Sequence, residues 1–135
     1  MKTTRCGDCR RPISDDELRR HGRLCRKCKE ARYKAAHPYA YSLNKLRNNA
    51  KRRGIAFDLT LEEWIMFCDL TGYVHACGRG ADSLSVDRID ASKGYSLDNI
   101  RAVTLAENTR VAWVNRKIRQ WIERRQILVK YPSAA

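Results

Sequence analysis

Proline and glycine are scarce in this chain, at 3 and 7 of 135 residues, and no internal repeat or low-complexity stretch is visible. That excludes a fibrous or Pro/Gly-rich disordered polymer. No apolar run approaches the roughly 20 residues of a membrane-spanning helix. Met1 to Thr4 leads straight into cysteines rather than into the apolar stretch of a secretory signal. The expectation is a soluble, intracellular protein with no membrane partner. Acidic residues are also short, 15 Asp/Glu against 28 Lys/Arg, for a formal net charge of +13. The deficit is uneven. Residues 1–56 hold 17 Lys/Arg against 5 Asp/Glu, a net of +12, whereas residues 57–135 hold 11 against 10. A basic half of this kind is the electrostatic footprint of a protein that binds phosphate backbone, while the balanced half keeps carboxylates for other work.

What is present starts with cysteine. Four of six cysteines form Cys6-x2-Cys9 and Cys25-x2-Cys28, with 15 residues between the pairs. Each pair can make a tight turn that presents two thiolates to one tetrahedral ion, and a sphere of four thiolates is closed, so the ion would be structural zinc. Arg5, Arg10, Arg26 and Lys27 offset the charge of such a centre. A disulfide framework is the rival, disfavoured without a secretory signal. With 135 residues the chain has room for one modest domain and a small appended module. Residues 1–37 form the module, whose folding energy must come largely from the metal.

The rest reads as a run of short elements. Ser14-Asp15-Asp16-Glu17 is a capping box opening a short helix that Gly22 stops, and Lys29 to Ala36 is helix-prone up to Pro38. His37-Pro38-Tyr39 reads as a hinge. Tyr41 to Arg53 is a helix with Leu43, Leu46 and Ala50 inside and Gly54 as its C-terminal stop. Lys45, Arg47, Lys51, Arg52 and Arg53 crowd its remaining surface beyond what a helix C-terminus needs, which makes them candidate phosphate contacts. Asn44, Asn48 and Asn49 could touch base edges, although hydration is the simpler reading. Ile55 to Leu59 is extended. Thr60 and Glu63 then cap a helix with Leu61, Trp64, Ile65 and Cys68 on its apolar face and Gly72 at its end, and Trp64 reads as core rather than as a base-stacking residue.

From Leu84 to Arg110 (LSVDRIDASKGYSLDNIRAVTLAENTR) the order is strand, polar turn, a second strand from Ile100 to Val103, and a helix opened by Thr104-Leu105-Ala106-Glu107. Asp87 falls on the first strand and Asn108 in the first helical turn, so that both could face one point. A carboxylate and an amide oxygen make a sparse, hard, oxygen-only site that suits Mg2+ or Mn2+ better than zinc. The helix continues to about Lys130. Val111, Val114, Ile118 and Ile122 recur at helical spacing, and Trp113 and Trp121 flank them. That stripe is longer than a hairpin needs to cover it and predicts that part packs on a second subunit, a homodimer. Pro132 to Ala135 reads as a loose end.

VDRID, KGY, LDNI and the final EN, together with the upstream NNAKRRGIAFDLTLEEW, resemble the HNH nucleases, also called the ββα-metal or His-Me finger family, in their phage-encoded and restriction-enzyme forms. The likeness covers about two thirds of the chain. It implies an α+β fold, in which the four-cysteine finger (residues 1–37) precedes a mostly helical domain (residues 38–135) built around a hairpin–helix core. Asp87 and Asn108 match the family's metal ligands, and Asn99 matches the asparagine that ties the turn. Arg88 stands where most members carry the general-base histidine, and arginine, with a pKa above about 12, accepts no proton. The resemblance therefore gives Arg88 the scissile phosphate and moves the base elsewhere. His75, in the turn before Cys77, is the first candidate, with Tyr73 and Tyr95 behind it. Many phage members hold a second zinc, but Val74 and the region of Asn108 lack the cysteines for one here.

The implied activity is hydrolysis of a phosphodiester in double-stranded DNA, leaving 5′-phosphate and 3′-hydroxyl ends, in the cytoplasm of a bacterium or a phage-infected host. The rival class is a non-catalytic zinc-finger DNA-binding regulator that retains the fold without the chemistry. An RNA-binding zinc protein comes third, for want of an exposed aromatic platform.

Overall fold

The computed structural model describes residues 4–130; the tail from Pro132 lies outside them. Helices and strands are mixed, and the buried side chains form two separate cores. The smaller holds Cys6, Ile13 and Cys25, with Leu24 and Cys28 against it. Around it the chain makes a narrow hairpin, in which Arg5 bridges Pro12 and the Ile13 amide donates to the Thr4 carbonyl at 2.9 Å. Two helices complete the unit, α1 (Asp15–His21) and α2 (Arg26–Ala36). The Ser14 hydroxyl accepts from the Glu17 amide and the Glu17 carboxylate accepts from the Ser14 amide, so the capping box at α1 is closed. α2 begins three residues earlier than its composition suggests, because Cys25 itself is the N-cap and its sulfur accepts from the Cys28 amide at 3.5 Å.

Only His37 separates α2 from α3 (Pro38–Arg52), and Pro38 occupies the first helical turn, where a missing N–H costs nothing. The joint read as a hinge is bridged: the Tyr41 hydroxyl donates to the Glu30 carboxylate at 2.8 Å, and Lys34 lies over the Tyr41 ring. α3 ends in a Schellman motif. The Ile55 amide donates to the Ala50 carbonyl and the Gly54 amide to that of Lys51, with Gly54 at φ 65°.

The larger core is centred on Trp64, which is fully buried. It stands on α4 (Leu61–Thr71), opened by the Thr60–Glu63 capping box and closed by Gly72 in the left-handed region. The buried face of α4 is Trp64, Phe67 and Cys68, with Ile65 half-buried and Leu61 exposed, so the apolar stripe is rotated from the one predicted. The Trp64 indole donates to the Ser42 hydroxyl at 2.9 Å, and Ser42 donates in turn to the Tyr39 carbonyl, which leaves no polar atom stranded beneath the ring. A short helix α5 (Tyr73–Ala76) follows.

The remaining elements are β1 (Phe57–Asp58), β2 (Leu84–Arg88), β3 (Tyr95–Ser96), a 3-10 turn (Leu97–Asn99), β4 (Ile100–Thr104) and α6 (Leu105–Lys130). The expected order of strand, turn, strand and helix is therefore present. β2 and β4 pair antiparallel, with Ser85 opposite Val103, Asp87 opposite Arg101 and Arg88 opposite Ile100. One pairing has no precedent in the local pattern: β1 lies parallel to β3, Phe57 against Tyr95. It explains the glycine of the KGY run, since a Cβ at Gly94 would collide with the Ala56 carbonyl, the same carbonyl that accepts from the Tyr95 amide at 2.9 Å.

Candidate functional site

Two sites emerge from the sequence, and the structure assembles them to different degrees. At the first, the Cys6, Cys9, Cys25 and Cys28 sulfurs all lie within 4.8 Å of one another. A zinc–sulfur bond of about 2.3 Å makes the edge of a tetrahedron about 3.8 Å, and the Cys9 and Cys25 sulfurs are 3.7 Å apart. The donor set and its dimensions fit one structural zinc. Backbone amides point at the sulfurs: Cys25 N–H donates to Cys6 Sγ at 3.3 Å. That bond, with further amides near Cys9, lowers the Cys6 thiol to about 6. The Cys28 amide, helped by the Arg11 guanidinium, lowers the Cys25 thiol. The Cys28 thiol is instead pushed up to about 12 by its hydrogen bonds to Cys25 and Cys9. Four sulfurs this close cannot all be anionic by themselves, and a divalent ion resolves the conflict by deprotonating them outright. Outside the sulfurs, Arg11 pairs with Glu17 across the hairpin, and the Arg32 fork grips Asp8, tying α2 to the first cysteine turn.

At the second site, the β2–β4 hairpin has two unlike faces, because side chains alternate along a strand. Val86, Ala102 and Ile100 face the Trp64 core. Arg88 shares that side: one guanidinium nitrogen donates to the Ala91 carbonyl at 2.9 Å and the Lys93 carbonyl at 2.6 Å, and the group lies 5.5 Å from the centre of the buried Tyr95 ring. Arg88 thus braces the loop through one of its guanidinium nitrogens. The other face carries Ser85, Asp87, Arg101 and Val103, and α6 crosses it. Asn108 in α6 donates through its amide nitrogen to the Ser85 hydroxyl at 2.8 Å. Ser85 and Asp87 are one strand repeat apart, about 6.8 Å, so Asn108 meets, through Ser85, the strand face that also carries Asp87. The start of α6 is set by the Thr104 hydroxyl, which accepts from the Glu107 amide at 3.2 Å.

The loop between the strands is held by Asn99, 5% exposed and the one buried polar side chain among the described residues. Its oxygen accepts from the Asp90 amide at 2.8 Å, and its nitrogen donates to the Asp90 and Gly94 carbonyls at 3.1 and 2.8 Å. Its place and its bonds are those of a residue that ties a turn. Asp90 closes a second small ring with the amide and hydroxyl of Ser92, which hold its carboxyl below the usual range. His75 is exposed on α5; two residues later Cys77 bridges Leu84 at the start of β2, three residues before Asp87. Tyr73, the weaker base candidate, is pushed up to about 12, chiefly by burial, and Tyr95 is buried under Arg88.

Sequence reasoning missed Arg101. Its guanidinium donates to a single oxygen of Asp87, through Nε at 3.0 Å and Nη2 at 2.8 Å. The signal that could have found it is register: once Leu84 is set opposite Thr104, Asp87 must face Arg101.

Lys45, Arg47, Lys51, Arg52 and Arg53 are all exposed and belong to no ion pair among the described residues. Asn44 and Asn49, read as possible base contacts, instead steady Arg47 and Arg52. On α6, Trp113, Val114, Ile118, Trp121 and Ile122 are between 41% and 56% exposed, so the described residues leave much of the apolar stripe open. Among the described residues no helix is long and apolar enough to cross a membrane. No protein-family profile, curated protein or solved structure matches this chain.

Proposed function

We propose that the protein is a metal-dependent endonuclease or nickase of the HNH type acting on double-stranded DNA. One observation supports the reading: Asn108, from the helix after the hairpin, bonds Ser85, which lies two residues before Asp87 on the same strand, and Asn99 ties the turn between the strands with three hydrogen bonds. In this reading Asp87 and Asn108 hold one divalent cation, Mg2+ or Mn2+, by an oxygen from each side chain. Such an ion, when bound, polarises the scissile phosphate and stabilises the leaving 3′ oxygen. His75 takes the proton of the attacking water. Arg88 keeps the Asp90–Gly94 loop in shape, and Asn99 fixes that loop relative to the strand that carries Asp87. The exposed cations of α3 grip phosphate backbone, which requires binding to weaken as salt rises. The finger adds a second basic contact, and a second copy of the chain is read as the cover for the α6 stripe, to be weighed by light scattering.

A supercoiled plasmid with Mg2+ or Mn2+ tests the activity. Nicking is expected, and Asp87→Ala should abolish it, while His75→Ala should cut the rate at least about tenfold, the low end for a lost base. Binding without nicking would instead make the chain a non-catalytic DNA-binding regulator. The specific support for that alternative is that the Asp87 carboxylate already has a cationic partner.

A further inference from the structure

The Asp87–Arg101 pair is an obstacle if Asp87 is a cation ligand, and its geometry suggests why it is there. Both guanidinium bonds end on Oδ2 of Asp87, at 3.0 and 2.8 Å. Of the two side chains Asp87 is the more enclosed, 19% exposed against 46% for Arg101. An ion approaching Asp87 from solvent therefore meets a positive charge on the outer side. Among the described residues Arg101 forms no other ion pair, and its guanidinium makes no hydrogen bond besides those to Asp87. Arg88 differs in each respect, being anchored to two carbonyls and an aromatic ring on the opposite face of the strand.

We infer that Arg101 is a displaceable lock on Asp87 and, once displaced, the residue that binds the scissile phosphate. The inference rests on the nuclease reading and deepens it. The physical ground is competition. A divalent cation and a guanidinium cannot share one carboxylate oxygen without strong repulsion, so the free protein binds the metal weakly. A DNA phosphate beside the site gives the guanidinium another anion, and its planar fork fits phosphate oxygens as well as carboxylate. Arg101 then moves from carboxylate to phosphate, and the vacated oxygen faces the metal. Metal and DNA thus strengthen each other's binding by the same factor, as linkage demands. A site of this design is poorly loaded away from DNA, and the phosphate-binding role expected of Arg88 falls to Arg101.

The experiment is a Mn2+ titration of the zinc-loaded full chain, followed by electron paramagnetic resonance of free Mn2+, beside the plasmid assay. Wild type, Arg101→Ala, Arg101→Lys and Asp87→Asn are compared after thermal melts confirm that each is folded. Without DNA, Arg101→Ala should bind Mn2+ more tightly, by up to about fivefold, the ceiling of what an exposed ion pair is worth. Its nicking rate should nevertheless fall about 10²-fold, the usual loss for one donor to developing charge. Arg101→Lys, which keeps the charge and loses the fork, should fall between. Tighter metal binding with slower cleavage is the combination that a merely structural brace would not produce. If wild type binds Mn2+ through Asp87 and nicks, yet Arg101→Ala alters neither property, the lock is wrong and the nuclease reading stands. If wild type neither binds Mn2+ at Asp87 nor nicks, the nuclease reading fails and the lock fails with it.

Discussion

In residues 4–36 three apolar side chains are buried, and two of them are cysteines; in residues 38–104 ten are buried, nine of them in the core of the fully enclosed Trp64. Both regions face the same mechanical problem, to hold a tight turn in one shape. The N-terminal unit places four sulfurs around a point where an ion would sit, and amides and guanidinium groups favour anions there. The second unit uses an amide: Asn99 satisfies three backbone groups of the Asp90–Gly94 loop from a buried position. The contrast shows how the two turns depend on their surroundings. A metal centre carries its own free energy and needs little apolar support. A buried asparagine works only because a hydrophobic core already excludes water around it.

The largest effect should follow from taking the ion away. Stripping zinc with a strong chelator, or replacing Cys25 with Ser, should unfold residues 4–36 while residues 38–104 keep their amide protection, because the free energy of a structural zinc centre, about 10–16 kcal/mol, exceeds anything a three-residue core can replace. Hydrogen exchange reads this segment by segment, and loss of protection across both regions together would show that the two units are one. Next, Trp64→Ala should cost about 3–5 kcal/mol in urea unfolding of the zinc-loaded protein, with the N-terminal unit keeping its metal. The smallest of the three is Asn99→Ala, at about 1–3 kcal/mol for buried backbone groups left without partners. Its mark should be local, as faster exchange at the Asp90 amide, whereas a uniform loss would mean that Asn99 supports the core rather than the turn.

How much of this was legible in the chain depends on distance along it. Ser14 with Glu17, Thr60 with Glu63, and Gly54 and Gly72 gave the helix ends, since a cap is a contact between residues three or four apart. The burial of Trp64 was readable from periodicity, but the exact face of α4 was not: Phe67 is buried and Leu61 is exposed, which is set by how α3 and the loops meet the helix. At the candidate site, the strand that carries Asp87 and the helix that carries Asn108 followed from the order of the elements. Arg101 did not, because nothing near Asp87 in sequence announces a partner 14 residues away.

The sequence by itself determined the four-sulfur cluster, the capped helices, and the strand–turn–strand–helix order that carries Asp87, Asn99 and Asn108. Each of these rests on spacing within a few turns of chain or on an ion that selects its ligands by type. Only the tertiary structure decided the parallel docking of Phe57-Asp58 on Tyr95-Ser96, the side of the hairpin to which Arg88 turns, and the capture of Asp87 by Arg101. The reason is that strand pairing joins residues far apart in the chain, and a shift of one residue in register would send every one of those side chains to the other face.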